Sequence, residues 1–181
     1  NIFMQNGHWP GAAPQICVML KVPMPLSQMI AGPGPVYYIY NCATNRALCR
    51  NIWDATQVVL HDSKKSKFTF KLQKDHSLCI RSEFDKKYIG NNFELQDAEH
   101  SFRFIRSVKN KDWFFICSNL NRYRVLHDAD CKSIVSLIGI NQYKVEWTNL
   151  DLGNTRQLWR LELVQNRNNR SRPTPSYSFY R

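Results

Sequence analysis

The sequence lacks the motifs on which most catalytic and metal-binding proteins depend. It has no CxxC pair, no cysteine and histidine cluster with zinc-ligand spacing, no glycine-rich phosphate loop, no nucleophile elbow and no HExxH motif. Glycines number only seven, and the 14 acidic residues include no pair that stands out as an acid and a base. No apolar run reaches the roughly 18 residues that a membrane-spanning helix needs. We therefore expect no metal, cofactor, catalytic activity or membrane span.

Acidic residues are also few beside basic ones, at 14 against 25, which gives a net charge of +11. Such a surface attracts polyanions: nucleic acid, sulfated glycans, acidic lipid or an acidic protein. No nucleic-acid-binding motif accompanies the charge, so nucleic acid is not expected as a partner. The alternative is that the basic residues serve solubility alone.

Six cysteines stand at positions 17, 42, 49, 79, 117 and 131. An even number favours disulfides, and therefore a secreted or extracellular protein. The alternative is that Cys49, Cys79 and Cys117 are free thiols on buried strand faces, since free cysteine is often buried.

The chain divides by composition into an arm, a domain and a tail. Residues 1–35 are rich in proline and glycine and show little periodicity, and residues 165–181 are basic, with proline and serine. We expect an irregular arm, a domain over 36–164 and a flexible basic tail.

The domain contains an internal repeat. Three windows of fourteen residues align without a gap: YIYNCATNRALCRN (38–51), LCIRSEFDKKYIGN (78–91) and FICSNLNRYRVLHD (115–128). Each is followed by two further strand-like segments, the second of which ends in Phe70, Phe104 or Trp159. Three units of four strands predict an all-β fold, a β-trefoil of about twelve strands, in which these aromatic side chains point inward.

The third unit resembles the ricin-type lectin family, whose repeat ends in a Gln-x-Trp triplet, here Gln157-Leu158-Trp159. Trp147 stands where such repeats carry a second aromatic residue, and the opening of the first unit, YYIYN followed by ALC, is similar to the cysteine-rich domain of the mannose receptor group. The other two units have Phe-x-Phe in place of Gln-x-Trp.

The resemblance implies a sugar pocket within one unit. Asp128 would accept sugar hydroxyls, Trp147 would cover the apolar face of the sugar, and Gln157 would lie near the pocket floor. Arg156 stands where the family has asparagine, which favours a carboxylate- or sulfate-bearing sugar. Three of these four residues have a structural alternative: Asp128 as a turn cap, Trp147 as core and Gln157 as a support of the fold.

The other two units offer weaker sets. The first has Asn51 and His61 in the matching places and the second has Asn91 and Gln96. Neither pairs an aspartate with a large aromatic ring, so we expect any ligand site to be single and in the third unit.

Three functions follow from these features. The first is a lectin-like module for glycans or glycoproteins, with anionic or sulfated polysaccharide favoured. The second is a protease inhibitor of the soybean Kunitz type, acting through the predicted loops 52–57 or 129–142. The third is an assembly subunit that holds a protein partner through its arm and its basic tail.

Overall fold

A computed structural model of the chain describes residues 35–121, 123–132 and 142–164. These residues form an all-β fold of twelve strands with a one-turn 3-10 helix at Thr155–Gln157, which confirms the predicted class and number of strands. The strands are β1 Tyr37–Asn41, β2 Ala47–Arg50, β3 Val58–His61, β4 Phe68–Leu72, β5 Leu78–Ser82, β6 Tyr88–Ile89, β7 Leu95–Gln96, β8 Ser101–Arg106, β9 Phe114–Ser118, β10 Arg124–Lys132, β11 Gln142–Asn149 and β12 Leu158–Leu163. The tail and all but one residue of the arm lie outside the described residues.

Six strands pair antiparallel in a closed ring. Its order is β1, β12, β9, β8, β5, β4 and back to β1. Along β1 and β4 buried and half-buried residues alternate, as expected for strands with one face in a core. Each of these six strands therefore pairs with a neighbour on both of its sides.

Three hairpins extend from the ring. They are β2–β3, β6–β7 and β10–β11, and their first strands pair with β1, β5 and β9. β11 also pairs with β3, which joins the first hairpin to the third. The loop predicted over 129–142 is partly wrong, because residues 129–132 continue β10 past a register shift and Gln142 begins β11.

Aromatic side chains fill the interior of the closed ring of strands. Phe70, Phe104 and Trp159 are buried, as predicted from their place at the unit ends. The rings of Phe70 and Phe104 meet edge to face at 5.7 Å, and Trp159 Nε1 donates to the carbonyl of Leu126 at 3.0 Å. Each such ring contributes about 2–3 kcal/mol through its removal from water.

The cysteines of the core are thiols. Cys42, Cys49, Cys79 and Cys117 are free, and the last three are buried. The alternative of buried thiols at these three positions is therefore confirmed, and the expectation of disulfides is wrong for these four residues. Burial raises the pKa of Cys42 to about 12 and also raises that of Cys117. Cys17 lies outside the described residues.

Candidate functional site

A tight turn between β1 and β2 is built by one asparagine at the end of β1. Asn41 Oδ1 accepts hydrogen bonds from the backbone N–H groups of Ala43 and Thr44, at 3.0 and 3.3 Å. Its Nδ2 donates to the carbonyl of Arg156 at 2.8 Å. Asparagine suits this place because its side chain can replace a backbone acceptor in a turn. The turn ends at Arg46, whose side chain reaches the third hairpin.

Arg46 joins three aspartates. Its Nε donates to Asp62 at 3.1 Å, and its Nη1 lies 3.1 Å from Asp128 and 2.8 Å from Asp130. The guanidinium carbon stands 3.3 Å from the centroid of the Tyr143 ring, a cation–π contact. Arg156 extends the group through a 3.0 Å ion pair with Asp130. We call Arg46, Asp62, Asp128, Asp130 and Arg156 the Arg46 cluster.

Asp128 is the buried centre of this cluster. Its carboxylate is fully buried and accepts from Thr44 Oγ1 at 2.7 Å, from Arg46 Nη1 and from the backbone N–H of Asp130 at 2.7 Å. The last bond is the turn cap that the sequence offered as the alternative to a sugar contact. A buried carboxylate is stable when it is paired and hydrogen-bonded in this way.

The outer members of the cluster face solvent. The side chains of Asp62 and Asp130 are each 41% exposed and that of Arg156 is 44% exposed. Asp130 has a positive φ of 52°, a strained conformation for a residue other than glycine. The hydrogen bond from Arg46 and the charge of Arg156 hold the pKa of Asp130 below its usual range. The rim therefore presents ionised acceptors and a guanidinium donor in fixed positions.

Trp147 and Gln157, the other two predicted site residues, contact different parts of the fold. Trp147 is half-buried on the core, 5.4 Å from the ring of Phe93, and its Nε1 donates to the carbonyl of Asn91 at 2.8 Å. Gln157 is buried; its Nε2 donates to the carbonyl of Asn149 and its Oε1 accepts from the N–H of Asp151, both at 2.8 Å.

Of the four predicted residues, the structure thus brings Asp128 and Arg156 together, through Arg46 and Asp130. Trp147 and Gln157 each have the contacts that their structural alternatives describe. Sugar contacts of these four side chains stay a prediction.

The matching residues of the first unit also serve turns, whereas in the second unit Gln96 Nε2 donates to the carbonyl of Ala98 at 3.0 Å. Asn51 is buried; its Oδ1 accepts from the N–H of Trp53 at 2.9 Å and from Nε2 of Gln142 at 3.2 Å. His61 is buried, and its Nδ1 accepts from the N–H groups of Ser63 and Lys64, both at 3.0 Å.

Sequence reasoning missed Arg46, Asp62, Asp130 and Tyr143. They come together from positions up to 97 residues apart, which no local pattern shows. One signal was present: the triplet Leu-His-Asp occurs at 60–62 and again at 126–128, and both of its aspartates bind Arg46.

Residues 35–121, 123–132 and 142–164 contain no group of three or more His, Cys, Asp or Glu side chains that could hold a metal ion. Over the same ranges, no helix has the length and apolar character needed to span a bilayer.

Solved structures share this architecture. A ricin B-like lectin of Macrolepiota procera, in complex with lactose, matches with a TM-score of 0.53 at 16% identity, over 73% of this chain and 97% of that one. The BEL β-trefoil matches with a TM-score of 0.51 at 15% identity, over 75% of this chain and 97% of that one. The chain has a β-trefoil fold. It resembles ricin-type β-trefoil proteins in particular, as its Gln-x-Trp triplet indicated.

The same fold also occurs inside an enzyme. The endo-β-galactosidase of Clostridium perfringens that releases GlcNAcα1-4Gal matches with a TM-score of 0.54 at 12% identity, over 72% of this chain but 33% of that one. No protein-family model matches this β-trefoil, and no curated protein matches it in sequence. At these identities the comparisons establish the fold, and the site must be judged on its own geometry.

Proposed function

We propose that this β-trefoil is a carbohydrate-binding module without catalytic activity, built of three pseudo-repeats, and that it prefers acidic glycans. The observation that carries the proposal is the exposed rim of the Arg46 cluster. Sugar hydroxyls form their strongest hydrogen bonds with ionised groups, and Asp62, Asp130 and Arg156 offer such groups close together. The lectin-like fold supports this reading, because a ricin B-like lectin with the same architecture was solved with lactose.

Each rim group has its own role in the proposal. Asp130 accepts two hydroxyls of one sugar, because Arg46 holds its carboxylate in place and ionised. Arg156 donates one N–H to Asp130, and its remaining N–H groups suit a sugar carboxylate or sulfate. Asp128 acts from below as a positioning residue, since its carboxylate fixes both Arg46 and the backbone of Asp130.

An array of neutral, sialylated and sulfated glycans tests the proposal. We expect Asp130→Asn to lower binding at least tenfold, because a neutral amide accepts more weakly and no longer forms ion pairs with Arg46 and Arg156. Asp97→Asn is the matched control, an exposed aspartate in the second unit, and it should bind like the unchanged protein. A blank array, or equal losses in the two variants with unchanged melting temperatures, would contradict a glycan site at this rim.

Two further variants locate the site more finely. Arg156→Gln should weaken the binding of sialylated and sulfated glycans more than that of neutral glycans, since it removes a cation and leaves the carboxylate acceptors in place. Trp147→Leu tests the predicted stacking role: lost binding with an unchanged melting temperature would support stacking, and retained binding would assign Trp147 to the core.

Inhibition of a protease is the second candidate, because one predicted loop is both rigid and exposed. Trp53, in loop 52–57, is 55% exposed. Hydrogen bonds that hold the loop include Trp53 N–H to Asn51 Oδ1, Ile52 N–H to Gln142 Oε1 at 3.0 Å and Leu95 N–H to the carbonyl of Thr56 at 2.6 Å. A protease panel in which Trp53→Ala abolishes inhibition, with glycan binding unchanged, would favour this candidate.

The assembly hypothesis concerns residues outside the described ranges. Its arm (1–35, of which only residue 35 is described) and its tail (165–181) stay predictions, as does an extracellular location.

A further inference from the structure

Two tyrosines lie side by side on the outer face of the ring. Tyr38 and Tyr40 alternate along β1 with buried Tyr37 and Ile39, so both point away from the core. Their ring centroids are 6.4 Å apart at an interplanar angle of 69°. On the neighbouring strand β12, Arg160 stands opposite Tyr40.

Two cations are held over these rings. Lys65 comes from the loop between β3 and β4; its Nζ lies 4.1 Å from the centroid of Tyr38 and donates to the hydroxyl of Tyr40 at 3.1 Å. Arg160 stands with its guanidinium carbon 4.3 Å from the centroid of Tyr40, and its Nη2 donates to Asn45 Oδ1 at 3.0 Å. We call Tyr38, Tyr40, Asn45, Lys65 and Arg160 the Tyr40 patch.

The closest contacts of these two cations are with neutral groups, namely the tyrosine rings, the Tyr40 hydroxyl and the Asn45 amide oxygen. Other basic side chains of the β-trefoil are paired with acids: Arg50 with Asp85, Lys71 with Glu99 and Lys86 with Glu83. Lys65 forms its hydrogen bond with Tyr40, which raises the pKa of Lys65, and the Glu162 carboxylate raises it further by its charge alone. Arg160 has Glu162 at 3.7 Å, an ion pair longer than a normal hydrogen bond.

Such an arrangement is suited to an anion. Ring faces and an amide oxygen orient the two cations, and the nearby Glu162 carboxylate stays 3.7 Å from Arg160, so part of their charge stays available to a ligand. Because Lys65 donates to the oxygen of Tyr40, the Tyr40 hydroxyl keeps its own proton for a second acceptor. Exposed Lys64 and Lys67 in the same loop add to the positive potential.

We propose that the Tyr40 patch binds the sulfate or carboxylate group of an acidic saccharide, through Arg160, Lys65 and the hydroxyl of Tyr40. The saccharide part of this assignment rests on the proposed function. Lys65 and Arg160 already cover a face of Tyr38 and of Tyr40, which leaves less ring surface for the base stacking used by single-stranded nucleic acids. The ligand is therefore an acidic polysaccharide rather than a nucleic acid.

The patch lies next to the Arg46 cluster. Asn45 belongs to the patch and the following residue, Arg46, to the cluster. The loop after β3 likewise supplies Asp62 to the cluster and Lys65 to the patch. One oligosaccharide can thus place hydroxyls at the rim of the cluster and its acidic group at the patch. This continuity makes the patch a subsite of one binding surface.

Titration calorimetry with a size-defined heparin oligosaccharide tests the patch. We expect Lys65→Gln and Arg160→Gln each to weaken binding about tenfold, the effect of losing one charge-assisted hydrogen bond. Lys67→Gln removes the same charge from the same loop, away from the rings, and should change affinity less than threefold. Tyr40→Phe keeps the ring and removes the hydroxyl, and its affinity should lie between that of Lys65→Gln and that of Lys67→Gln.

The outcomes separate the patch from the proposed function. Equal losses in Lys65→Gln and Lys67→Gln would overturn the patch, because binding would then follow net charge alone. Loss in Asp130→Asn with no loss in Lys65→Gln would also overturn it, while a glycan site at the cluster would stand. If heparin binding depends on Lys65 while no neutral glycan on the array binds, the patch is supported. The binding of neutral glycans, which the proposed function includes, is then contradicted. Competition by single-stranded DNA as effective as by heparin would overturn the choice of a polysaccharide.

Discussion

Removing Arg46 should destabilise this β-trefoil more than removing any exposed arginine. In Arg46→Ala, Asp128 keeps the hydroxyl of Thr44 and the N–H of Asp130 but loses the cation that neutralises it. Breaking a buried ion pair by removing one partner costs about 3–5 kcal/mol. Loss of the contact with Tyr143 adds about 1 kcal/mol. We therefore expect a total of about 4–6 kcal/mol.

Urea unfolding followed by tryptophan fluorescence measures this loss directly. Thermal unfolding should show a fall in Tm of roughly 10–20 °C, at about 2–4 °C per kcal/mol for a chain of this size. Arg50→Ala is the matched control: Arg50 pairs with Asp85 at 2.9 Å, but its side chain is 38% exposed. Exposed pairs contribute less than about 1 kcal/mol.

A second variant separates charge from packing. Asp128→Asn in the Arg46→Ala background removes the unpaired charge and should recover a large part of the lost stability. If Arg46→Ala costs no more than Arg50→Ala, or if the two substitutions are additive, the buried carboxylate is not the reason for the effect and the reasoning fails.

Three further predictions concern single side chains. His61→Asn should make the free energy of unfolding less dependent on pH between about 7 and 5. Burial lowers the pKa of His61, so the stability that it contributes is present above pH 6.5 and is lost as the pH falls, whereas asparagine accepts the same two N–H groups without titrating. An unchanged pH dependence of unfolding in the variant would contradict this. Cys117 should react with a thiol reagent at pH 8 only after unfolding, because burial raises its pKa; rapid reaction in the native state would show that the core opens. Gln157→Leu should cost about 1–3 kcal/mol in urea unfolding, because it removes two hydrogen bonds, with the N–H of Asp151 and the carbonyl of Asn149, at about 0.5–1.5 kcal/mol each. A cost below 0.5 kcal/mol, which is about what surface changes produce, would mean that water replaces the amide.

Local pattern was sufficient for the strands and for much of the core. Alternation marked the strands around Phe70 and Phe104, and the aromatic residue that ends each unit is buried because it faces the inside of the closed ring. A strand with one buried face must repeat every two residues, so such patterns can be read without coordinates.

The bulk of the candidate site was not accessible in this way. The sequence points to Asp128 through its place in the third unit, but its buried carboxylate depends on Arg46, which comes from the turn between β1 and β2. In the sequence Lys65 is one of several neighbouring lysines, and only the path of the loop after β3 places it over the ring of Tyr38. Charge can be counted along a chain, whereas pairing depends on which loops the closed ring brings together.

The sequence by itself therefore determined the all-β class, the threefold spacing of the windows and the excess of positive charge. The tertiary structure decided which charges are neutralised and which remain available to a ligand. Hydrophobic alternation is a local property of each strand, and an ion pair requires two side chains to meet within about 4 Å from distant parts of the chain. This is why the β-trefoil could be predicted from its repeat, and the Arg46 cluster and the Tyr40 patch could not.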